Sequence, residues 1–177
     1  GIKSRSQLEE ILGVPVLGII GRDRKIRSSP LRMYGASPTP LAESFRHLRT
    51  NVQVAAIDRH WKSILVTSAA SGEGRTTTVC NLGLILAKAG ARVVIVDADL
   101  RNPSIARSLG IAASPGLTDV LGSTESLKTA VRPVGPTLDA LPSGVCPPNP
   151  SELLASKRMT ELLASLHEMY DVVLVDS

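Results

Sequence analysis

The stretch SAASGEGRTTT, Ser68 to Thr78, limits the fold more than any other part of the chain. It follows the apolar run KSILVTS and opens the segment TTTVCNLGLILAKAG, a predicted helix closed by Gly90; RVVIVDAD then returns as a second apolar run. Strand, glycine loop, helix and strand in that order are the signature of a parallel sheet covered on both faces. Gly72 and Gly74 let backbone N–H groups face anionic oxygens without side-chain interference, and the helix N-terminus behind them adds positive potential. The loop is therefore expected to cradle phosphate through Ala70, Ser71, Gly72, Glu73, Gly74, Arg75, Thr76 and Thr77, with the Thr76 hydroxyl placed to ligand Mg²⁺. A plain glycine turn is the alternative. Arg75 stands where such loops carry lysine; charge is kept, but a planar fork replaces a compact ammonium.

Two further stretches aim acidic groups at the same edge. VVIVDADLR ends a strand in Asp97, followed by Asp99 and Arg101, and in open α/β proteins ligands bind at the carboxyl ends of parallel strands. Paired carboxylates there can hold Mg²⁺ and accept a proton from an attacking hydroxyl. Alternatively, Asp97 caps the next helix. DVVLVDS delivers Asp176 to the same edge from a third apolar strand.

Around this centre, Ser6 and Glu9 have capping-box spacing and are expected to start a short helix that Gly13 and Pro15 close, before an apolar strand VLGII. GRDRKIRSSPLRMYGASPTP reads as a loop or linker, so residues 1–40 are expected to form a linker unit and 41–177 the nucleotide-binding domain. A helix is predicted from about Leu41 to Ile57, with Leu41, Phe45, Leu48 and Val52 on its inward stripe. Short helices follow near Pro103–Leu109, Leu117–Leu121 and Glu125–Val131, then a weak strand TLDALPSG, a turn and helix in PPNPSELLAS, and the helix KRMTELLASLHEMY. The fold class is thus α/β, a three-layer sandwich on a mainly parallel sheet of the P-loop NTPase kind. Because DVVLVDS stops inside a buried strand, the chain is expected to be cut at both ends.

Composition sets outer limits. With 43% hydrophobic but only 2% aromatic residues, the core must be aliphatic. Lys and Arg exceed Asp and Glu by 20 to 16, an excess that most often marks a solvated face and gives no nucleic-acid pattern. No run reaches the roughly 18 apolar residues needed to span a bilayer. Cys80 and Cys146 lack ligand spacing, which suits a reducing compartment.

GEGRTTT, VVIVDADLR and DVVLVD, in that order, resemble the Walker A, Walker A′ and Walker B series of the bacterial tyrosine kinases (BY-kinases), the cytoplasmic ATPase-like domains of polysaccharide co-polymerases. ESFRHLR, with Glu43, Arg46 and Arg49 in E-x-x-R-x-x-R spacing, and PPNPSELL are similar to two further stretches of that family, and SRSQLEEILGVPVLGII resembles the linker after its second membrane helix. The resemblance implies binding of ATP or ADP with Mg²⁺. Its catalytic residues would be Asp97, Asp99 and, by location, Arg75; its metal group would be Thr76, Asp97, Asp99 and Asp176. It also implies ring-like self-association through Glu43, Arg46 and Arg49, a membrane-spanning chain-length segment and export machinery as partners, and cytoplasmic placement tethered to the inner membrane. At about 100° per residue, Glu43 and Arg46 fall away from the apolar stripe, with Arg49 at its border.

The family's activity would be tyrosine autophosphorylation controlling exopolysaccharide chain length and export. A catalytically weakened nucleotide-sensing scaffold stays open as an alternative because of Arg75. A partition or septum-site ATPase is a third, weakened by Ala70 standing where those proteins carry a signature lysine; GEG does not complete a dinucleotide fingerprint. The tyrosines are Tyr34, in an expected loop, and Tyr170, expected in the core, while His47, His60 and His167 are scattered and take no role.

Overall fold

The computed structural model describes residues 4–21, 39–56, 61–70 and 72–177. Five strands form one sheet: β1 (Ser63–Val66), β2 (Val93–Asp97), β3 (Arg132–Gly135), β4 (Leu138–Leu141) and β5 (Val172–Asp176). Their order is β1-β5-β2-β4-β3, parallel except for β3, which runs antiparallel against β4. Every residue of β2 is buried, as its unbroken VVIV run requires of a strand covered on both faces. The edge strand β1 alternates exposed and half-buried residues instead.

Eight helices are described. On one face of the sheet lie α2 (Pro40–Ala56), α3 (Arg75–Lys88) and α4 (Ile105–Leu109), packed around Phe45, Leu82, Ile85, Leu86, Ile95 and Leu174. On the other lie α5 (Leu117–Leu121), α6 (Leu127–Ala130) and α8 (Lys157–Met169), around Leu117, Leu121, Leu141, Leu162, Leu166 and Val173. The remaining two are α1 (Arg5–Leu12) and α7 (Pro150–Leu154). Each fully buried Leu or Ile contributes about 1.5–3 kcal/mol, so the two aliphatic layers carry the fold without aromatic help. The predicted stripe of α2 is the buried one: Leu41, Phe45 and Val52 are buried and Leu48 partly so.

Two readings change, and one strand lies where none was read. The helix α1 starts two residues earlier than Ser6 suggests: Ser4 is the N-cap and its hydroxyl accepts from the Gln7 amide, while Glu9, freed from capping, accepts from the Val16 amide at 2.9 Å. VLGII is not a strand. It lies against α2, where Asn51 donates to the Leu17 carbonyl at 2.7 Å and Leu48 sits 3.4 Å from the place a Gly18 Cβ would take. A helix surface offers no ladder to join, so the run's backbone is met by the Glu9 and Asn51 side chains instead of by a neighbouring strand. RPVG, between the predicted helix ending at Val131 and the predicted strand TLDALPSG, is the edge strand β3, where proline is tolerated because one side of the strand needs no donor.

Candidate functional site

β5 is last in sequence but sits between β1 and β2, so its carboxyl end lies between the glycine loop and the end of β2. Asp97 and Asp176 are register partners, and the Ala98 amide donates to the Asp176 carbonyl at 2.8 Å. Sequence order alone gives no sign of that adjacency.

The loop has the backbone its glycines imply. Gly72 and Gly74 hold φ of 83° and 90°, a left-handed conformation that disfavours any side chain. Gly74 is the N-cap of α3 and no side chain caps that helix. The Glu73 carboxylate turns back on the loop and accepts from the Ala70 amide at 3.1 Å, and the Thr77 carbonyl is taken by Asn81 at 2.7 Å. Ser71 lies outside the described residues.

Arg75, Thr76, Asp99 and Asp176 meet at the start of α3. The Arg75 guanidinium donates through Nε to Asp176 Oδ1 and through Nη2 to Asp99 Oδ2. The second Asp176 oxygen accepts from the Thr76 hydroxyl at 2.7 Å, and Thr76 Oγ1 is also 2.7 Å from Ser104 Oγ. Asp97 is fully buried: Oδ2 accepts from the amides of Ser104 and Ile105, both at 3.0 Å, capping α4, and Oδ1 is buried with no partner. The capping alternative therefore holds through one oxygen, and the other is left without a partner.

Burial is the largest influence on Asp97 and lifts its carboxyl to about 6, helped by the neighbouring carboxylates Asp176 and Asp99 and opposed by the two capping amides. Burial acts the same way on Asp99, but the Asn102 amide and the Arg75 guanidinium outweigh it and hold that carboxyl below its ordinary value. Among the described residues, no three His, Cys, Asp or Glu side chains are drawn together as metal ligands. The Arg75 guanidinium lies between Asp99 and Asp176. The donor set still suits Mg²⁺, a hard cation that takes hydroxyl and carboxylate oxygens, and Asp97 Oδ1 is an unsatisfied acceptor at the same edge.

Ser104 belongs to this site and was missed, because one serine in LRNPSI carries no motif. Its hydroxyl meets Thr76 and its amide meets Asp97, so it ties the loop to the end of β2. Away from the site, Glu43 pairs with Arg46 on the exposed side of α2, and Arg49 is half-buried with its Nε buried and unpartnered. Tyr170 is buried and donates to Asp139 at 2.6 Å; Tyr34 and His60 lie outside the described residues. Cys80 is a buried thiol pushed up to about 12, by burial first and then by Asp176 and Asp97; Cys146 is exposed, and neither is in a disulfide.

The profile of the CobQ/CobB/MinD/ParA nucleotide binding domain matches residues 64–176. The chain is 42% identical over 137 residues to the tyrosine-protein kinase YwqD of Bacillus subtilis (strain 168), covering 77% of this chain and 58% of that protein. Among solved structures, the BceF tyrosine kinase domain superposes with a TM-score of 0.86 at 34% identity, covering 100% of this chain and 76% of that one. The septum site-determining protein MinD of Pyrococcus horikoshii OT3, complexed with Mg-ADP, gives 0.56 at 28% identity over 65% of this chain and 48% of that one. The chain spans little more than half of YwqD.

Proposed function

The chain belongs to the CobQ/CobB/MinD/ParA nucleotide-binding family and, within it, to the bacterial tyrosine kinases; from that premise we propose that it is the MgATP-binding part of a protein-tyrosine autokinase serving exopolysaccharide or capsule export. The observation that carries this reading is the meeting of Thr76, Asp99 and Asp176 at the mouth of a glycine loop, with buried Asp97 beside them.

In this reading the left-handed glycines keep the loop amides clear for the phosphates, and the N-terminus of α3 adds its positive end. Thr76, Asp97, Asp99 and Asp176 would hold Mg²⁺, which when bound neutralises charge on the transferring phosphoryl group. A tyrosine hydroxyl attacks the γ-phosphorus, the bond to the bridging oxygen of ADP breaks, and the phenolic proton passes to a carboxylate. Asp97 suits that last role: at about 6 it is mostly ionised at neutral pH yet more basic than an ordinary aspartate. Since Tyr170 is buried and bonded to Asp139, it is no acceptor in this fold.

A second reading is favoured by one specific contact. Arg75 is engaged by carboxylates and is longer and flatter than lysine, so in this reading phosphate is held without the transition-state geometry, and a misplacement of about 1 Å costs on the order of a hundredfold in rate. The domain would then sense nucleotide and direct assembly. MgATP binding and phosphotyrosine formation by the longest native protein, beside Arg75→Lys and Asp97→Ala, separate the two. Activity that vanishes in Asp97→Ala supports the kinase; silence in the native protein with activity in Arg75→Lys overturns it in favour of the sensor.

Ring-like self-association through Glu43, Arg46 and Arg49, and tethering to a membrane-spanning chain-length segment, complete the proposal. Among the described residues, no helix is long and apolar enough to cross a membrane. The exposed Glu43 and Arg46 are available to a partner, and an oligomeric state unchanged in the Glu43→Ala, Arg46→Ala double variant sinks the interface.

A further inference from the structure

We infer that Arg75 is a resident counter-cation: its guanidinium occupies the place between Asp99 and Asp176 that a divalent cation needs, so that metal enters only when phosphate has drawn the arginine away. This rests on the reading of residues 70–76 as a phosphate cradle.

The contacts support it from three sides. A guanidinium has donors in a fixed fork, and here Nε and Nη2 are divided between two different carboxylates, a bridge that the single ammonium of lysine makes poorly. Asp176 is fully buried, and its other oxygen is held by Thr76, so the carboxylate has no water-exposed oxygen left for a metal. Arg75 itself is mostly buried, its side chain 18% exposed, and burial would lower its charge were it not for Asp99 and Asp176, which hold it firmly protonated. Two carboxylates with one bridging cation make a closed, half-neutralised cluster, and a divalent cation arriving at the same oxygens meets a fixed positive charge.

A nucleotide changes this balance. Arg75 is the first residue of α3, directly after Gly74, so the side chain that now folds toward the strand ends starts from the loop that would carry the phosphates. Phosphate oxygens accept the same forked donors as carboxylates. When the guanidinium turns to them, Asp99 Oδ2 and Asp176 Oδ1 are released together. Nucleotide and metal are thereby coupled through one side chain, and by linkage each must tighten the other by the same factor.

The test uses Mn²⁺ as probe, its free concentration read by electron paramagnetic resonance, with the 177-residue chain in nucleotide-free buffer. Arg75→Met and Arg75→Lys are compared with the native chain. Both variants are expected to bind Mn²⁺ more tightly, Arg75→Met by about tenfold or more, within the usual 5–150-fold range of site-to-site coupling. Adding Asp99→Asn to either must remove the gain. If Arg75→Met does not fold, Arg75→Lys carries the comparison with a smaller expected gain. Equal Mn²⁺ affinity in the native chain and the variants overturns the proposal, as does a gain that survives Asp99→Asn. ADP binding measured by calorimetry in EDTA stands apart: failure there, with the Mn²⁺ differences intact, removes the nucleotide reading and leaves the counter-cation in place.

Discussion

The helices α3 and α8 pack on opposite faces of the same sheet and are nearly the same length, 14 and 13 residues, yet they begin in opposite ways. Ser156 caps α8 with its own side chain, accepting from the Met159 amide at 3.3 Å. Nothing caps α3; its N-cap is Gly74 in a left-handed conformation, and around it stand an arginine and three aspartates whose charges are only partly matched. One end is built for stability. The other leaves its first turn without a side-chain cap and one Asp97 oxygen without a partner at the sheet edge, and local stability is given up where a ligand must be met.

Core truncations give the largest expected effects and test whether the two helices differ only at their starts. Leu86→Ala on α3 and Leu166→Ala on α8, both buried, should each lower unfolding free energy by about 2–5 kcal/mol in urea titrations. A clearly unequal pair would show that the asymmetry extends into the packing.

Asp97→Asn comes next. The native carboxyl sits at about 6 against an ordinary 3.8, so the folded state binds more protons than the unfolded one between those values. Stability is therefore favoured at low pH and falls as pH rises from about 4 to 6. An asparagine keeps an acceptor for the Ser104 and Ile105 amides but removes the buried charge, and should stabilise the chain at pH 7 by roughly 2–3 kcal/mol while flattening that slope. Thermal melts across pH 4–7 check it; a slope unchanged by the substitution would place the burden on another group.

Smaller effects separate the two helix starts directly. At Gly74 an added Cβ meets nothing within 4 Å, so Gly74→Ala should cost only backbone strain, about 1–2 kcal/mol, and should weaken ADP binding. Ser156→Ala should cost about 1 kcal/mol and leave ADP binding unchanged. Loss of ADP binding in Ser156→Ala would break the contrast drawn between the two ends.

Much of this was legible before any coordinates. The glycines at 72 and 74, the apolar run ending in Asp97 and the one ending in Asp176 mark strands, a crossover helix and the edge where ligands bind, because backbone periodicity and glycine φ are local properties written residue by residue. Even the inward stripe of α2 follows from spacing. VLGII was misread and RPVG passed over for one reason: whether an apolar or short segment becomes a strand depends on whether a ladder edge stands beside it.

The amino-acid order by itself determined the kinds of element, the phosphate-loop backbone and the acidic residues that end the strands. Only the tertiary structure decided that the last strand slips between the first two, which sets Asp176 beside Asp97 and within reach of Arg75 and Thr76. Ser104 joins them for the same reason. Local preference can name a carboxylate and a cation, but which of them meet is set by sheet order, a choice made by packing between segments some hundred residues apart.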